Sequence, residues 1–111
     1  MYAFDVDGTV EVSSGPVPVA ALRDLHAAGH IVGLCGNWGL FIQRVPDWAR
    51  FIAFLGPVLI EKAAFLAQLK TYAMADRYVM VGNEDPDKAQ AVGAGWEFVR
   101  EADFVVPYPG G

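Results

Sequence analysis

Apolar residues fall into short continuous runs that alternate with stretches where they recur at helical spacing. This pattern predicts a parallel sheet covered by helices. Residues 2–6 read as a first strand and 11–18, with Ser13, Ser14, Gly15, Pro16 and Pro18, as a loop. Pro18 fits the opening turn of a helix that turns Leu22 and Leu25 inward and stops at Gly29. Residues 30–35 form a second strand, apolar on both faces as a central parallel strand requires. Trp38-Gly39-Leu40-Phe41-Ile42 opens a helix that Pro46 interrupts, and 51–55 is a third strand broken by Gly56-Pro57. A helix over 61–75 buries Phe65, Leu66 and Leu69. Residues 77–81 make a fourth strand ending at Gly82, 86–93 a short helix and 96–99 a fifth strand. The tail, 104–111, ends in Pro-Tyr-Pro-Gly-Gly and is expected to fray. No repeat, low-complexity tract or linker divides the chain, so 1–111 is expected to be one domain.

Composition narrows the classes. A chain of 111 residues that is 54% hydrophobic is not disordered and is long enough to bury a core. The net charge of −5 argues against a nucleic-acid partner held by a general basic surface. Strand-like sequence close behind Met1 leaves no room for a signal peptide, and no apolar run reaches the length of a membrane span. With a single cysteine, which forbids an internal disulfide, these features predict a reducing, cytoplasmic setting and no membrane partner. Aromatic residues cluster at Trp38, Phe41, Trp48, Phe51 and Phe54, which raises the prospect of a homo-oligomer interface there.

The first strand ends in Asp5-Val6-Asp7-Gly8-Thr9. Alternate side chains share a face, so Asp5 and Asp7 are expected to project together from the strand's carboxyl end, where open α/β sheets place their sites. Two acids aimed at one spot call for a positive occupant, and Mg²⁺ with a phosphate behind it is the natural one. The rival reading makes Asp7-Gly8 a plain turn and Asp5 a cap. A hydrophobic strand followed by Asp-x-Asp-Gly-Thr resembles motif I of the haloacid dehalogenase (HAD) superfamily. That resemblance implies Asp5 as nucleophile and Asp7 as general acid/base.

Further positions extend the resemblance. Tyr78-Val79-Met80-Val81-Gly82-Asn83-Glu84-Asp85-Pro86-Asp87 resembles motif IV, with Asn83 in place of the first acid. The implied metal ligands are Asp5, Asp7, Asn83 and Asp87. Asn83 offers an oxygen but no charge, so weaker Mg²⁺ binding is expected unless Glu84 or Asp85 compensates. A purely structural alternative has Asp85 capping the following helix and Asp87 complementing its dipole. Motif II would supply a Ser or Thr hydroxyl after the second strand. Cys35-Gly36-Asn37 stands there instead, leaving backbone amides around Gly36 and Asn37 as candidate phosphate-binding donors. Lys62 resembles the motif III lysine, with Lys70 a weaker contender and a solvated surface lysine the plain alternative.

Together these signals predict a HAD-like Rossmannoid three-layer α/β/α domain, with a sheet ordered 5-4-1-2-3 as the resemblance implies. The predicted activity is Mg²⁺-dependent phosphomonoester hydrolysis through an aspartyl-phosphate on Asp5. The intervals between motifs hold no cap domain, so the site should be open. The expected partner is a phosphorylated substrate, small molecule or macromolecule, and the resemblance implies that a capless member takes a large one or borrows a neighbouring subunit as lid around Trp38 and Trp48. A HAD-like binding or assembly module with little activity is the rival, favoured by Asn83 and Gly36. A receiver-type signalling domain would need an acid at the third strand's end, where Leu55-Gly56-Pro57 has none. Three signals are set aside. Phe41 stands where a thiol phosphatase built on Cys35 needs Arg, Phe98 spoils Gly93-Ala94-Gly95 as a dinucleotide fingerprint, and His26 and His30 lack ligand spacing.

Overall fold

The computed structural model describes residues 1–56, 62–83 and 85–107, and of Asp85 and Pro86 the backbone alone. Strands β1 (Tyr2–Asp5), β2 (Val32–Cys35), β3 (Phe54–Gly56), β4 (Val79–Gly82) and β5 (Glu97–Arg100) form one sheet. Helices α1 (Val19–Ala27), α2 (Trp38–Arg44), α3 (Lys62–Tyr72) and α4 (Asp85–Gly93) flank it. All pairings are parallel, in the order β3-β2-β1-β4-β5, which is the expected order read from the other edge. From β1 the chain moves outward to β2 and β3, then returns to place β4 on the other side of β1. The carboxyl ends of β1 and β4 therefore bound a topological switch point, the crevice where open α/β sheets bind ligands.

The two faces of the sheet carry side chains of different size. Tyr2, Phe4, Val32, Leu34, Val79 and Val81 pack against Leu22 and Leu25 of α1 and Phe41 of α2. On the other face Ala3, Cys35 and Met80 meet Leu66 of α3, Ala91 of α4 and Trp96. Gly33 keeps that second face shallow, because a Cβ there would lie 2.3 Å from the Phe54 ring. Strand alternation puts Asp5 on the same face as Ala3, so it emerges between α3 and α4.

Three expectations are corrected. The third strand is Phe54–Gly56 and not 51–55, since a 3₁₀ turn at Trp48–Arg50 draws Phe51 and Ile52 into the core before pairing starts. Helix α3 stops at Tyr72 instead of running to 75. The Tyr78 hydroxyl accepts from the Ala75 N–H at 3.1 Å and donates to the Ala73 carbonyl at 2.8 Å, holding that segment off the helix. The tail does not fray at its start, because Phe104 packs edge-to-face on Phe4 and Tyr2, at centroid distances of 5.2 and 6.1 Å. The predicted helix start at Glu61 and the end of the tail, 108–111, lie outside the described residues. Among the described residues no helix is long and apolar enough to cross a membrane.

Candidate active site at the switch point

Three charged side chains are buried together where β1 and β4 end. Asp5 is 7% exposed, Lys62 5% and Asp87 7%. Lys62, opening α3, places Nζ 3.1 Å from Asp5 Oδ1 and 2.7 Å from Asp87 Oδ1. Asp87 lies in the first turn of α4, where a helix N-terminus favours a carboxylate. It is nevertheless no solvated dipole partner, since its side chain is buried against Lys62. Glycines make room for both acids. A Cβ on Gly36 would lie 2.8 Å from Asp5 Oδ1, and one on Gly82 would lie 2.8 Å from Asp87 Oδ2. Gly36 also has φ +113°, so this one of the two positions, Cys35 or Gly36, where the resemblance expects a hydroxyl has neither the space nor the backbone for a side chain.

Asp7 does not project with Asp5 from the strand as expected. The strand ends at Asp5, so strand alternation no longer governs Asp7, which sits exposed in the following turn. Each acid has its own neighbour at the junction of β2 and α2: Gly36 abuts Asp5, and Asn37 Nδ2 donates to Asp7 Oδ1 at 3.0 Å. From the other side Asn83 Nδ2 donates to the Asp7 main-chain oxygen at 2.9 Å. Gly8 permits this approach, for with φ +69° a Cβ there would lie 2.2 Å from that nitrogen. Thr9, fully buried, holds its hydroxyl 3.5 Å from Asp5 Oδ2, at the outer limit of a hydrogen bond.

The expected anion-binding amides are only partly free. The Gly36 N–H donates to the Gly56 carbonyl at 3.3 Å, which commits it to the sheet edge and leaves the Asn37 side chain as the polar group facing Asp7. Lys70 is not a site residue, since its Nζ donates to the Gly95 carbonyl at 3.1 Å. Two contributors escaped the sequence. The Ser13 hydroxyl donates to the Val6 carbonyl and accepts from the Gly8 N–H at 3.2 Å, bracing the loop, and Arg100 Nη1 donates to the Asn83 carbonyl at 3.3 Å. No spacing rule links either residue to the acids. Whether Glu84 or the Asp85 side chain compensates for Asn83 falls outside the described residues.

The electrostatics follow from burial and from the count of charges. Burial, reinforced by the negative charge of Asp87, pushes Asp5 up to about 6 against the opposing pull of Lys62. Burial works against the Lys62 ammonium, yet hydrogen bonding and attraction from Asp87 and Asp5 hold its pKa above the ordinary lysine value. Burial drives the Cys35 thiol up to about 12, an inert core group rather than a nucleophile.

With Asp5 ionised, two carboxylates face one ammonium, and the excess negative charge suits a cation. The Asp5 carboxylate, the Asp7 oxygens and the Asn83 amide oxygen, once that amide is turned over, are hard donors of the kind Mg²⁺ takes. Asp87, expected among the ligands, is turned to Lys62. Among the described residues no three His, Cys, Asp or Glu side chains gather as a metal-ligating group. A cation here would thus rest on few charged ligands and complete its shell with neutral oxygens and water, as Mg²⁺ commonly does. No protein-family model, curated protein or solved structure matches this chain.

Proposed function

We propose that the protein is a Mg²⁺-dependent phosphomonoester hydrolase of HAD-like type, with Asp5 as nucleophile. The observation that carries this reading is the buried Asp5–Lys62–Asp87 cluster at the switch point. Burying three charges is expensive for a fold that needs none of them, which favours a chemical use. In the proposed reaction an Asp5 carboxylate oxygen bonds to phosphorus as the bond from phosphorus to the ester oxygen breaks. Asp7, as general acid, gives a proton to that departing oxygen and releases the alcohol. It then takes a proton from the water that attacks phosphorus, so the aspartyl-phosphate breaks down to inorganic phosphate and free Asp5. The Lys62 ammonium and the Asn37 amide offset charge on the phosphoryl oxygens. Mg²⁺, held by Asp5, Asp7 and Asn83, would supply charge neutralisation and orientation for the phosphate.

A second reading, a binding or assembly module, is favoured by Asn83, whose uncharged amide is engaged with the Asp7 carbonyl. Hydrolysis of an aryl phosphate with and without Mg²⁺ separates the two. Turnover should depend on Mg²⁺ and vanish in Asp5→Asn, while Asn83→Asp should raise the affinity for Mg²⁺. Absence of turnover in the native protein and in Asn83→Asp favours the binding module.

A further inference from the structure

We infer that Ser13 is a positioning residue for the proposed general acid, because its hydroxyl clamps both peptide groups that flank Asp7. This inference rests on the phosphatase reading of Asp5 and Asp7. Asp7 cannot hold a direction by itself. It is exposed, it lies beyond the end of β1, and a glycine at φ +69°, where the backbone turns most freely, follows it. The planar peptide between Asp7 and Gly8 is nevertheless held at both polar ends. Its N–H donates to Ser13 Oγ at 3.2 Å, and its carbonyl accepts from Asn83 Nδ2 at 2.9 Å. In the peptide before Asp7, the Val6 carbonyl accepts from the Ser13 hydroxyl and from the Thr9 and Val10 N–H groups, the latter two at 3.1 Å. Two fixed peptide planes set φ and ψ of Asp7, and with them the direction in which its carboxylate leaves the main chain.

Ser13 is itself anchored. Its hydroxyl and its N–H both reach the Val10 carbonyl, at 3.1 and 2.9 Å, and Val10 bridges to Val17 with both side chains in the core. The loop has no slack, since a Cβ on Gly15 would lie 2.1 Å from the Thr9 main chain. Asn37 and Asn83, which hold Asp7 from its other sides, each follow a glycine packed on a buried acid, Gly36 on Asp5 and Gly82 on Asp87. The part Ser13 plays is separable from folding. Without its hydroxyl the Val6 carbonyl keeps two donors, whereas the Gly8 N–H has no other acceptor among the described residues. Asn83 can offer its amide oxygen to a cation only by withdrawing the N–H that it gives to the Asp7 carbonyl. In that state Ser13 is the remaining side-chain hold on the peptide between Asp7 and Gly8.

The test compares the native protein with Ser13→Ala and with Ser13→Thr, which keeps the hydroxyl, on phenyl phosphate at saturating Mg²⁺. In Ser13→Ala kcat should fall about tenfold, with KM within about twofold and the urea midpoint close to that of the native protein, and Ser13→Thr should recover most of the loss. An unchanged kcat, a loss carried by KM, a loss as large in Ser13→Thr, or a urea midpoint that falls together with kcat overturns the inference and leaves the hydrolase standing. Calorimetric titration of the chelator-treated proteins with Mg²⁺ decides the case in which the native protein turns nothing over. If Mg²⁺ then binds the native protein and Ser13→Thr about tenfold more tightly than Ser13→Ala, the positioning of Asp7 stands and the hydrolase falls. If all three bind Mg²⁺ alike, or none binds it, both fall.

Discussion

Asp5 concentrates the conflict between folding and the proposed chemistry in one carboxylate. Its pKa lies at about 6 in the folded protein against an ordinary value of 3.8, so the folded state holds the proton more tightly than the unfolded chain. The stability linked to that proton is fully present below about pH 4 and is lost as pH rises through about 6. A shift of this size corresponds to roughly 3 kcal/mol of strain on the ionised form. Asp5→Asn removes the surplus charge and leaves Lys62 paired one-to-one with Asp87. The metal-free variant should therefore be more stable than the native protein at pH 8, by about 1–3 kcal/mol, and lose that advantage near pH 4. Urea denaturation at the two pH values in the presence of a chelator checks this. Equal stability at both would show that Asp5 ionises without strain.

Among elements, the sheet was legible because its strands are short continuous apolar runs that breaks such as Gly56 and Gly82 close. Gly29, Gly56 and Gly82 each close the segment they were expected to close. The misplaced boundaries lie where tertiary contacts overrule local pattern. Phe51 and Ile52 are apolar enough for a strand but serve the core from a turn, and Phe104 is held by rings from β1 that no local window contains. Lys62 was singled out by its resemblance to the motif III lysine, with Lys70 a weaker contender, but its pairing with Asp87 is made by the fold and not by any local pattern. Asp7 was placed by the wrong rule, and Gly36 looked like a missing hydroxyl when it is a space filled by Asp5. The small residues on the α3 face make a further prediction. Gly33→Ala would set its Cβ against the Phe54 ring, so it should destabilise the protein by about 1–3 kcal/mol, measured as a shift of the denaturation midpoint. No loss would mean that β3 yields freely.

At the scale of the whole molecule, the strand order places the acidic turn after β1 and the start of α4 on either side of one crevice, with α3 delivering its lysine between them. One carboxylate more than Lys62 can neutralise is a poor arrangement for stability alone and a suitable one for a nucleophile awaiting a cation and a phosphate. Trapping the covalent intermediate tests that most directly. The protein is mixed with Mg²⁺ and phenyl phosphate, quenched, and treated with borohydride, which reduces an acyl phosphate of aspartate to homoserine. Peptide mass spectrometry should find homoserine at Asp5 and at no other acid, only when Mg²⁺ and the phosphate ester are both present. Phosphate release with Asp5 unmodified, or homoserine at a different residue, would contradict Asp5 as the nucleophile.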